Sequence, residues 1–327
     1  MAACPKTDVI FSIIIPCKVG SGNLRECIEA ISIQSFGRYE IIVLPDEPIA
    51  DLPYNIRQIP TGSIGPGEKR DLGAEYSAGS ILAFIDDDAY PHQDWLARAH
   101  DVFVDDEIVA VGGPGVTPVD DPMLARASGL VYESLLGGST YRYRVLAMKA
   151  RWVDDYPSMN LLVRKSDFMK VGGFDTNFYP GEDTKLCSDL SDNGGLLRYD
   201  PQVLVYHHRR PLFVPHLKQI FNYGIHRGHF ARVYPGTSLR IGYLLPSLWV
   251  LGLLLGPILA AYWQAMFSVW VGVVTIYGIL LLVSWLEMLA RSRDVVCSSF
   301  AMIGILVTHI IYGVGFLGGF VTRTLSR

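Results

Sequence analysis

An apolar run, Ile81–Ile85, passes directly into three carboxylates, Asp86-Asp87-Asp88. In an extended segment residues i and i+2 face the same way, so Asp86 and Asp88 can converge on one hard cation. Oxygen ligands suit Mg2+ or Mn2+, which keep some waters and accept phosphate oxygens. A solvated acidic turn is the plain alternative, and three aspartates by themselves do not exclude it. A second cluster is Gly172-Gly173-Phe174-Asp175 followed by Gly181-Glu182-Asp183. Two adjacent carboxylates in a Gly-rich stretch could supply a general base, one taking a proton while hydrogen bonds hold its neighbour. An acidic pair at a helix N-terminus, where the helix dipole favours negative charge, is the other reading. A third feature is cationic. From Pro201 through Leu286 there is no acidic residue, whereas His207, His208, Arg209, Arg210, Lys218, Arg227 and Arg232 gather early in that stretch. Such a patch can face phosphate, or it can be drawn to anionic lipid at about 1 kcal/mol per charge near the surface.

The elements that must position these residues read as α/β. Val9–Pro16 is a short β-branched run, the mark of a buried parallel strand. A turn at Gly20-Ser21-Gly22 precedes a helical pattern through Leu24, Cys27, Ile28 and Ile31. Glu40–Leu44 is a second strand ending at Pro45-Asp46, Gly65–Ser77 is helical, and Ile81–Ile85 is a third buried strand. Alternating strands and helices predict a mostly parallel central sheet with helices on its faces. Ligands of such sheets sit beyond the carboxyl ends of the strands, where Asp46 and the three aspartates fall. Two nucleotide motifs fail. Gly62–Lys69 lacks the GK[ST] ending of a phosphate loop, and no GxGxxG follows the first strand.

Composition places part of the chain outside water. Of 327 residues, 50% are hydrophobic and only 18% charged, against about 25% charged in a soluble domain. Disorder, a collagen-like repeat and a disulfide scaffold are excluded. The cysteines Cys4, Cys17, Cys27, Cys187 and Cys297 have no CxxC or zinc spacing and read as reduced thiols. After residue 240 come three apolar segments, Gly242–Trp263, Phe267–Leu289 and Ser298–Phe320. Each is about 22 residues, long enough as a helix to cross the roughly 30 Å hydrocarbon layer. Met1–Asp8 is too weakly basic for a signal peptide, so the front domain is expected in the cytosol. Arg227, Arg232 and Arg240 before the first span, with Arg291 and Arg293 after the second, then satisfy the positive-inside bias, while Arg323 and Arg327 at the far end run against it. The expected divisions are residues 1–210, a basic interfacial segment 211–240 and a membrane region 241–327. In that interfacial segment Leu217, Ile220, Phe221 and Ile225 recur at helical spacing.

Taken together, residues from about Phe11 to Gly228 resemble the family 2 glycosyltransferases of GT-A fold. The resemblance rests on Ser12-Ile13-Ile14-Ile15-Pro16, Glu40-Ile41-Ile42-Val43 with Asp46, Gly67-Glu68-Lys69-Arg70-Asp71-Leu72-Gly73, Phe84-Ile85-Asp86-Asp87-Asp88, Gly172-Gly173-Phe174-Asp175 and Gly181-Glu182-Asp183. Val205-Tyr206-His207 followed by Arg209, Gln219, Gly224 and Arg227 is similar to the membrane-attached, succinoglycan-type subgroup. The resemblance implies nucleotide-sugar contacts at Pro16, Asp46, Arg70, Asp86 and Asp87. It implies a divalent cation (Mg2+ or Mn2+) at Asp88 with Asp86 and His207, a catalytic base at Asp183 beside Glu182, and inversion at the anomeric carbon. Arg209, Gln219 and Arg227 are assigned to the acceptor or its diphosphate. Pro45 and Asp71 depart from the usual acidic residue and asparagine, which leaves the base preference open, and His207 and His208 compete for the site.

The resulting expectation is transfer of a sugar from a nucleotide-diphosphate donor to a lipid-linked saccharide, within surface polysaccharide or glycoconjugate assembly. Polyprenyl phosphate itself is the alternative acceptor. A processive polymer synthase is disfavoured because Gln219 is not followed by the QxxRW pattern. A noncatalytic membrane scaffold or transporter component is a different class, disfavoured by the carboxylates at every matching position and by the scarcity of ionisable groups inside the spans, with His309 in the third and Glu287 at the end of the second. Nucleic acid is not expected as a partner, since the basic residues sit beside membrane spans.

Overall fold

A computed structural model describes residues 9–53, 55–175 and 181–322. Met1–Asp8 with Cys4, and the terminal Arg323 and Arg327, lie outside the described residues. The chain divides into two compact units. One comprises the described residues up to Val116 with Leu146–His207, and the other Thr117–Val145 with the described residues from His208 onward. The first unit is therefore discontinuous in sequence, and the segment from Thr117 to Val145 groups with the C-terminal helices.

The first unit begins with β1 (Phe11–Pro16), α1 (Gly22–Ser32), β2 (Tyr39–Leu44), β3 (Arg57–Gln58), α2 (Pro66–Tyr76), β4 (Ile81–Ile85), β5 (Ala89–Pro91), α3 (Trp95–Val102), β6 (Ile108–Gly112) and β7 (Gly115–Val116). After α4 (Met123–Glu133) and α5 (Leu135–Gly138) of the other unit, it resumes with β8 (Arg151–Val153), β9 (Asn160–Arg164), α6 (Lys165–Val171), α7 (Glu182–Asp192), β10 (Leu196–Tyr199) and β11 (Val205–His207). Every residue of β1 is buried, because the strand runs parallel to β2 on one side and to β4 on the other. That placement accounts for its unbroken apolar sequence. The large sheet has the order β3-β2-β1-β4-β9-β6-β10-β8 and is mixed: β9 is antiparallel to β4 and β6, and β8 to β10. A small sheet, β5-β11-β7, pairs His207 with Ala89.

Local chemistry starts each helix near the site. Ser21 caps α1 by accepting the Leu24 N–H at 3.0 Å, and α1 turns Leu24, Cys27, Ile28 and Ile31 into the core. Pro66 opens α2, and the Glu68 carboxylate accepts the Gly65 N–H at 3.1 Å. Gly73 lets α2 lie on the sheet, since a Cβ there would stand 2.6 Å from Ile14 Cγ2.

The second unit adds α8 (Val214–Val233), α9 (Pro235–Ser238), α10 (Ile241–Tyr262), α11 (Gln264–Ser292) and α12 (Val295–Val321). The last three are long and apolar enough to cross a membrane, each within a few residues of the segment expected. Ion pairs explain why the segment from Thr117 to Val145 belongs here: Arg126 meets Asp294 at 3.2 Å, Arg142 meets Glu287, and Arg291 meets Glu133 at 3.5 Å. The segment expected to lie in the membrane interface forms α8, which is seated lengthwise on α12. A Cβ on Gly224 would come within 2.6 Å of the Tyr312 carbonyl oxygen, and one on Gly319 within 1.8 Å of the Ile225 carbonyl oxygen. The spacings Gly224-xxx-Gly228 and Gly315-xxx-Gly319 thus bring two backbones together as small residues do between apolar helices. Trp249 stacks on Tyr277 at 3.9 Å, between α10 and α11.

Candidate active site

The first unit gathers most of the singled-out residues at the carboxyl ends of β1, β2 and β4. Asp46 follows β2, and its carboxylate pairs with the Lys69 ammonium of α2. Lys69 is 3% exposed and also donates to the Cys17 carbonyl at 2.6 Å. Pro16 ends β1 beside this bridge. One residue on, Arg70 is equally buried and carries the main link of the site. Its Nη2 is 2.5 Å from Asp86 Oδ1, and its Nη1 is 3.6 Å from Glu182 Oε1. One guanidinium therefore joins the end of β4 to the first turn of α7. The two acidic clusters, nearly a hundred residues apart in the chain, lie within reach of a single side chain.

The carboxylates differ in environment. Asp87 is pushed up to about 7, first by burial and then by Asp88 and Asp86 beside it. Glu182 is also raised, by burial and by the neighbouring Asp183, with Arg70 pulling the other way. It is held by the Gly181 N–H at 2.9 Å. Asp183 is less buried than Glu182 and accepts the Thr184 N–H at 2.8 Å. The pair occupies the N-terminal turn of α7, and it separates into a buried carboxylate on Arg70 and a more accessible one.

Asp88 precedes β5, and the pairing of β5 with β11 brings His207 to it: His207 Nε2 is 3.2 Å from Asp88 Oδ1. The adjacent His208 points elsewhere, its Nδ1 lying 2.5 Å from Asp121 Oδ1. Successive residues of a strand face opposite ways, which decides between the two histidines. Among the described residues no group of three or more His, Cys, Asp or Glu side chains is set as a metal cage. Asp88 and His207 offer one hard oxygen and one imidazole nitrogen, with further oxygens at Asp86 and Asp87. This set fits a divalent cation that takes its remaining ligands from water and phosphate.

Two residues without an assigned role also shape the site. Lys69 neutralises Asp46. Asp71, the departure from asparagine, accepts the Phe174 N–H at 2.8 Å and so ties α2 to the Gly172-Gly173 turn. Both glycines have positive φ, 87° and 76°, which favours glycine at each. A Cβ on Gly173 would also stand 2.6 Å from the Asp71 carboxylate. Burial pushes Asp71 up to about 6, against the pull of the Phe174 N–H. Their positions on either side of Arg70 were the available signal.

Arg209, Gln219 and Arg227 belong to the second unit. Arg209 lies over the Tyr132 ring at 5.6 Å, Gln219 donates to the Tyr223 hydroxyl at 3.0 Å, and Arg227 donates to Ser238 Oγ at 3.2 Å.

Residues 12–172, which contain β1, Asp46, Arg70 and the Asp86–Asp88 run, match Glycosyl transferase family 2. Just under half of the chain is thus similar to a family 2 glycosyltransferase domain. Over 150 residues it is 32% identical to the pre-mycofactocin glycosyltransferase of Mycobacterium tuberculosis, an overlap of 45% of this chain and 31% of that one. Over 166 residues it is 26% identical to the glucosyl-dolichyl phosphate glucuronosyltransferase of Haloferax volcanii, covering 47% and 52%. The chain thus spans about a third and about half of the length of these two relatives. The mannosyltransferase PcManGT of Pyrobaculum calidifontis, solved with GDP-Man and Mn2+, superposes with a TM-score of 0.58 at 15% identity over 92% of this chain and 88% of that one. The fold of the family 2 domain is GT-A, as its mixed, mostly parallel sheet indicates.

Proposed function

We propose that this protein is an inverting, cation-dependent glycosyltransferase that moves a sugar from a nucleotide-diphosphate sugar to a lipid-linked saccharide at the cytosolic face of a membrane. The observation that carries the reading is the Arg70 bridge from Asp86 to Glu182, because it ties the donor-side carboxylates to the turn that carries the candidate base Asp183. Asp46, with Lys69 fixing its carboxylate, accepts from the nucleotide base. Asp86 and Asp87 contact the nucleoside, with Pro16 behind them. Asp88 and His207 hold the cation. The Mn2+ bound to the similarly folded mannosyltransferase supports that choice. When bound, the cation offsets the charge that grows on the departing diphosphate. Asp183 takes the proton from the acceptor hydroxyl as that oxygen attacks the anomeric carbon opposite the leaving group. Glu182, buried on Arg70, positions the turn that carries Asp183.

Support for a lipid-linked acceptor comes from the three apolar helices and from the name of the Haloferax relative, which acts on a glucosyl-dolichyl phosphate. Arg209, Gln219 and Arg227 are assigned to the acceptor side. With Arg240 ahead of the first apolar helix and Arg291 and Arg293 after the second on the cytosolic side, a multi-pass topology follows the positive-inside bias except at Arg323 and Arg327. Membranes containing the protein, given labelled nucleotide sugars and either polyprenyl phosphate or a polyprenyl-linked saccharide, test the reading. Labelled product from the saccharide alone is expected. Product from polyprenyl phosphate alone moves the acceptor to the free carrier, and product from neither removes the proposed function.

A further inference from the structure

The candidate base Asp183 stands in the chain between two residues that are each tied to a different part of the first unit. Glu182, before it, meets Arg70 of α2. Thr184, after it, is 2% exposed, and its hydroxyl donates to Asp155 Oδ1 at 2.9 Å. Asp155 is 3% exposed and belongs to the connection between β8 and β9. The next residue anchors that connection. Tyr156 is fully buried; its N–H donates to Cys187 Sγ at 3.4 Å and its hydroxyl to the Gly113 carbonyl at 2.8 Å. Asn160, which opens β9, donates to the same carbonyl at 2.7 Å. A Cβ on Gly112 would overlap the Tyr156 ring, so glycine there lets the ring lie on the end of β6. Thr184 and Cys187 are three residues apart and share one face of α7. Asp155 and Tyr156 hold that face against the end of β6.

We infer that Asp155 is a positioning residue for the transfer reaction: through the Thr184 hydroxyl it sets the turn of α7 from which Asp183 works. The inference rests on Asp183 being the base, as proposed above. A contact at Glu182 alone fixes one point of the turn, whereas a contact on each side of Asp183 fixes its direction as well. An ionised carboxylate only accepts hydrogen bonds, so Asp155 commits the Thr184 hydroxyl to itself and not to Asp183. The Thr184 N–H stays on Asp183 Oδ1 at 2.8 Å, and it orients that carboxylate from the backbone that Asp155 holds. Both partners are buried, so water does not replace the bond, and deleting one side leaves the other a hydrogen bond short. A misplacement of about 1 Å can cost about a hundredfold in rate. A residue that never meets the substrate can therefore govern turnover.

The test uses the full chain in membranes, with a nucleotide sugar that the wild type turns over and a polyprenyl-linked saccharide as acceptor. Nucleoside diphosphate release is followed well below the melting temperature of every variant. Thr184→Val, which keeps the shape and removes the hydroxyl, and Asp155→Ala are each expected to lower kcat about tenfold to a hundredfold. Donor KM is expected to stay within about twofold of the wild-type value. Thr184→Ser restores the donor and Asp155→Asn keeps an acceptor oxygen, so both are expected to recover most of kcat, and both stay readable where Asp155→Ala does not fold. Combining Asp155→Ala with Thr184→Val is expected to be no slower than the slower single variant, because both remove one bond. Leu190→Val, buried at the far end of α7, is the control: it is expected to lower the melting temperature and leave kcat unchanged. An equal loss of kcat in Leu190→Val would reduce the pair to helix stability and overturn the inference. Wild-type kcat in Thr184→Val beside a disabled Asp183→Asn would overturn the positioning role alone. Wild-type kcat in Asp183→Asn would instead remove the base assignment, and the positioning role with it.

Discussion

Replacing Arg70 probes the site more sharply than replacing any carboxylate, because a single residue touches both acidic clusters. Arg70 and Glu182 have side chains only 4% and 7% exposed, and the two contacts use different nitrogens of one fork. Arg70→Lys keeps the charge but supplies one nitrogen, so one contact is lost. A hydrogen bond to a charged group contributes about 1.5–3 kcal/mol. Since the Glu182 contact is long at 3.6 Å, the low end applies, which corresponds to about a tenfold fall in kcat/KM for the donor. Arg70→Met leaves two carboxylates without their cation, at a cost of about 3–5 kcal/mol as for other broken buried pairs. It also removes the influence that holds the Glu182 proton affinity down, so the active fraction shifts to higher pH. The assay is nucleoside diphosphate release across pH, paired with thermal unfolding of the same preparations. The expected order is wild type, then Lys, then Met in both readouts. Wild-type turnover and melting temperature in Arg70→Met would refute the claim that this guanidinium holds the site together.

Three further outcomes follow from the geometry. Asp183→Asn is expected to lower transfer by about 10²–10⁴, the range for a lost general base, while nucleotide binding measured by calorimetry is retained. Asp88→Asn and His207→Ala are each expected to weaken donor binding in the presence of Mn2+ and to leave the residual metal-free binding unchanged, whereas His208→Ala leaves both unchanged. Asp71→Asn is expected to stabilise the fold above about pH 6 by on the order of 1 kcal/mol. Because the folded carboxyl is raised to about 6, the native state holds the extra proton between about pH 4 and pH 6, so the wild-type protein loses stability as pH rises through that window and levels off above it. Thermal melts of the two proteins should coincide near pH 4 and separate above pH 6.

The parts of this structure that depend on local pattern were readable from the chain itself. β1, β2, β4 and α2 fall where apolar runs and turn residues place them, and the three apolar helices begin and end within a few residues of the composition boundaries. The carboxylates after β4 and at the start of α7 announce themselves by clustering. What could not be read depends on contacts between distant segments. Nothing local chooses His207 over His208; the choice is made by the pairing of β11 with β5. The segment from Thr117 to Val145 joins the C-terminal helices through pairs such as Arg126–Asp294, 168 residues apart. Asp71 stands as a mere departure from asparagine until Phe174 is seen to donate to it. Helix α8 is a different case, because its glycine spacing was visible. Its mixture of basic and apolar residues favoured an interfacial reading, and the matching glycines of α12 show which helix it packs against.

The most direct measurement is the anomalous scattering of Mn2+ in crystals of the protein grown with a nucleoside diphosphate. The account predicts a single strong peak between the Asp88 carboxylate and His207 Nε2, about 2.2 Å from each, with the diphosphate completing its shell and Asp183 facing the same space. A peak bound away from Asp88, or density that puts the diphosphate and Asp183 in separate cavities, would contradict it.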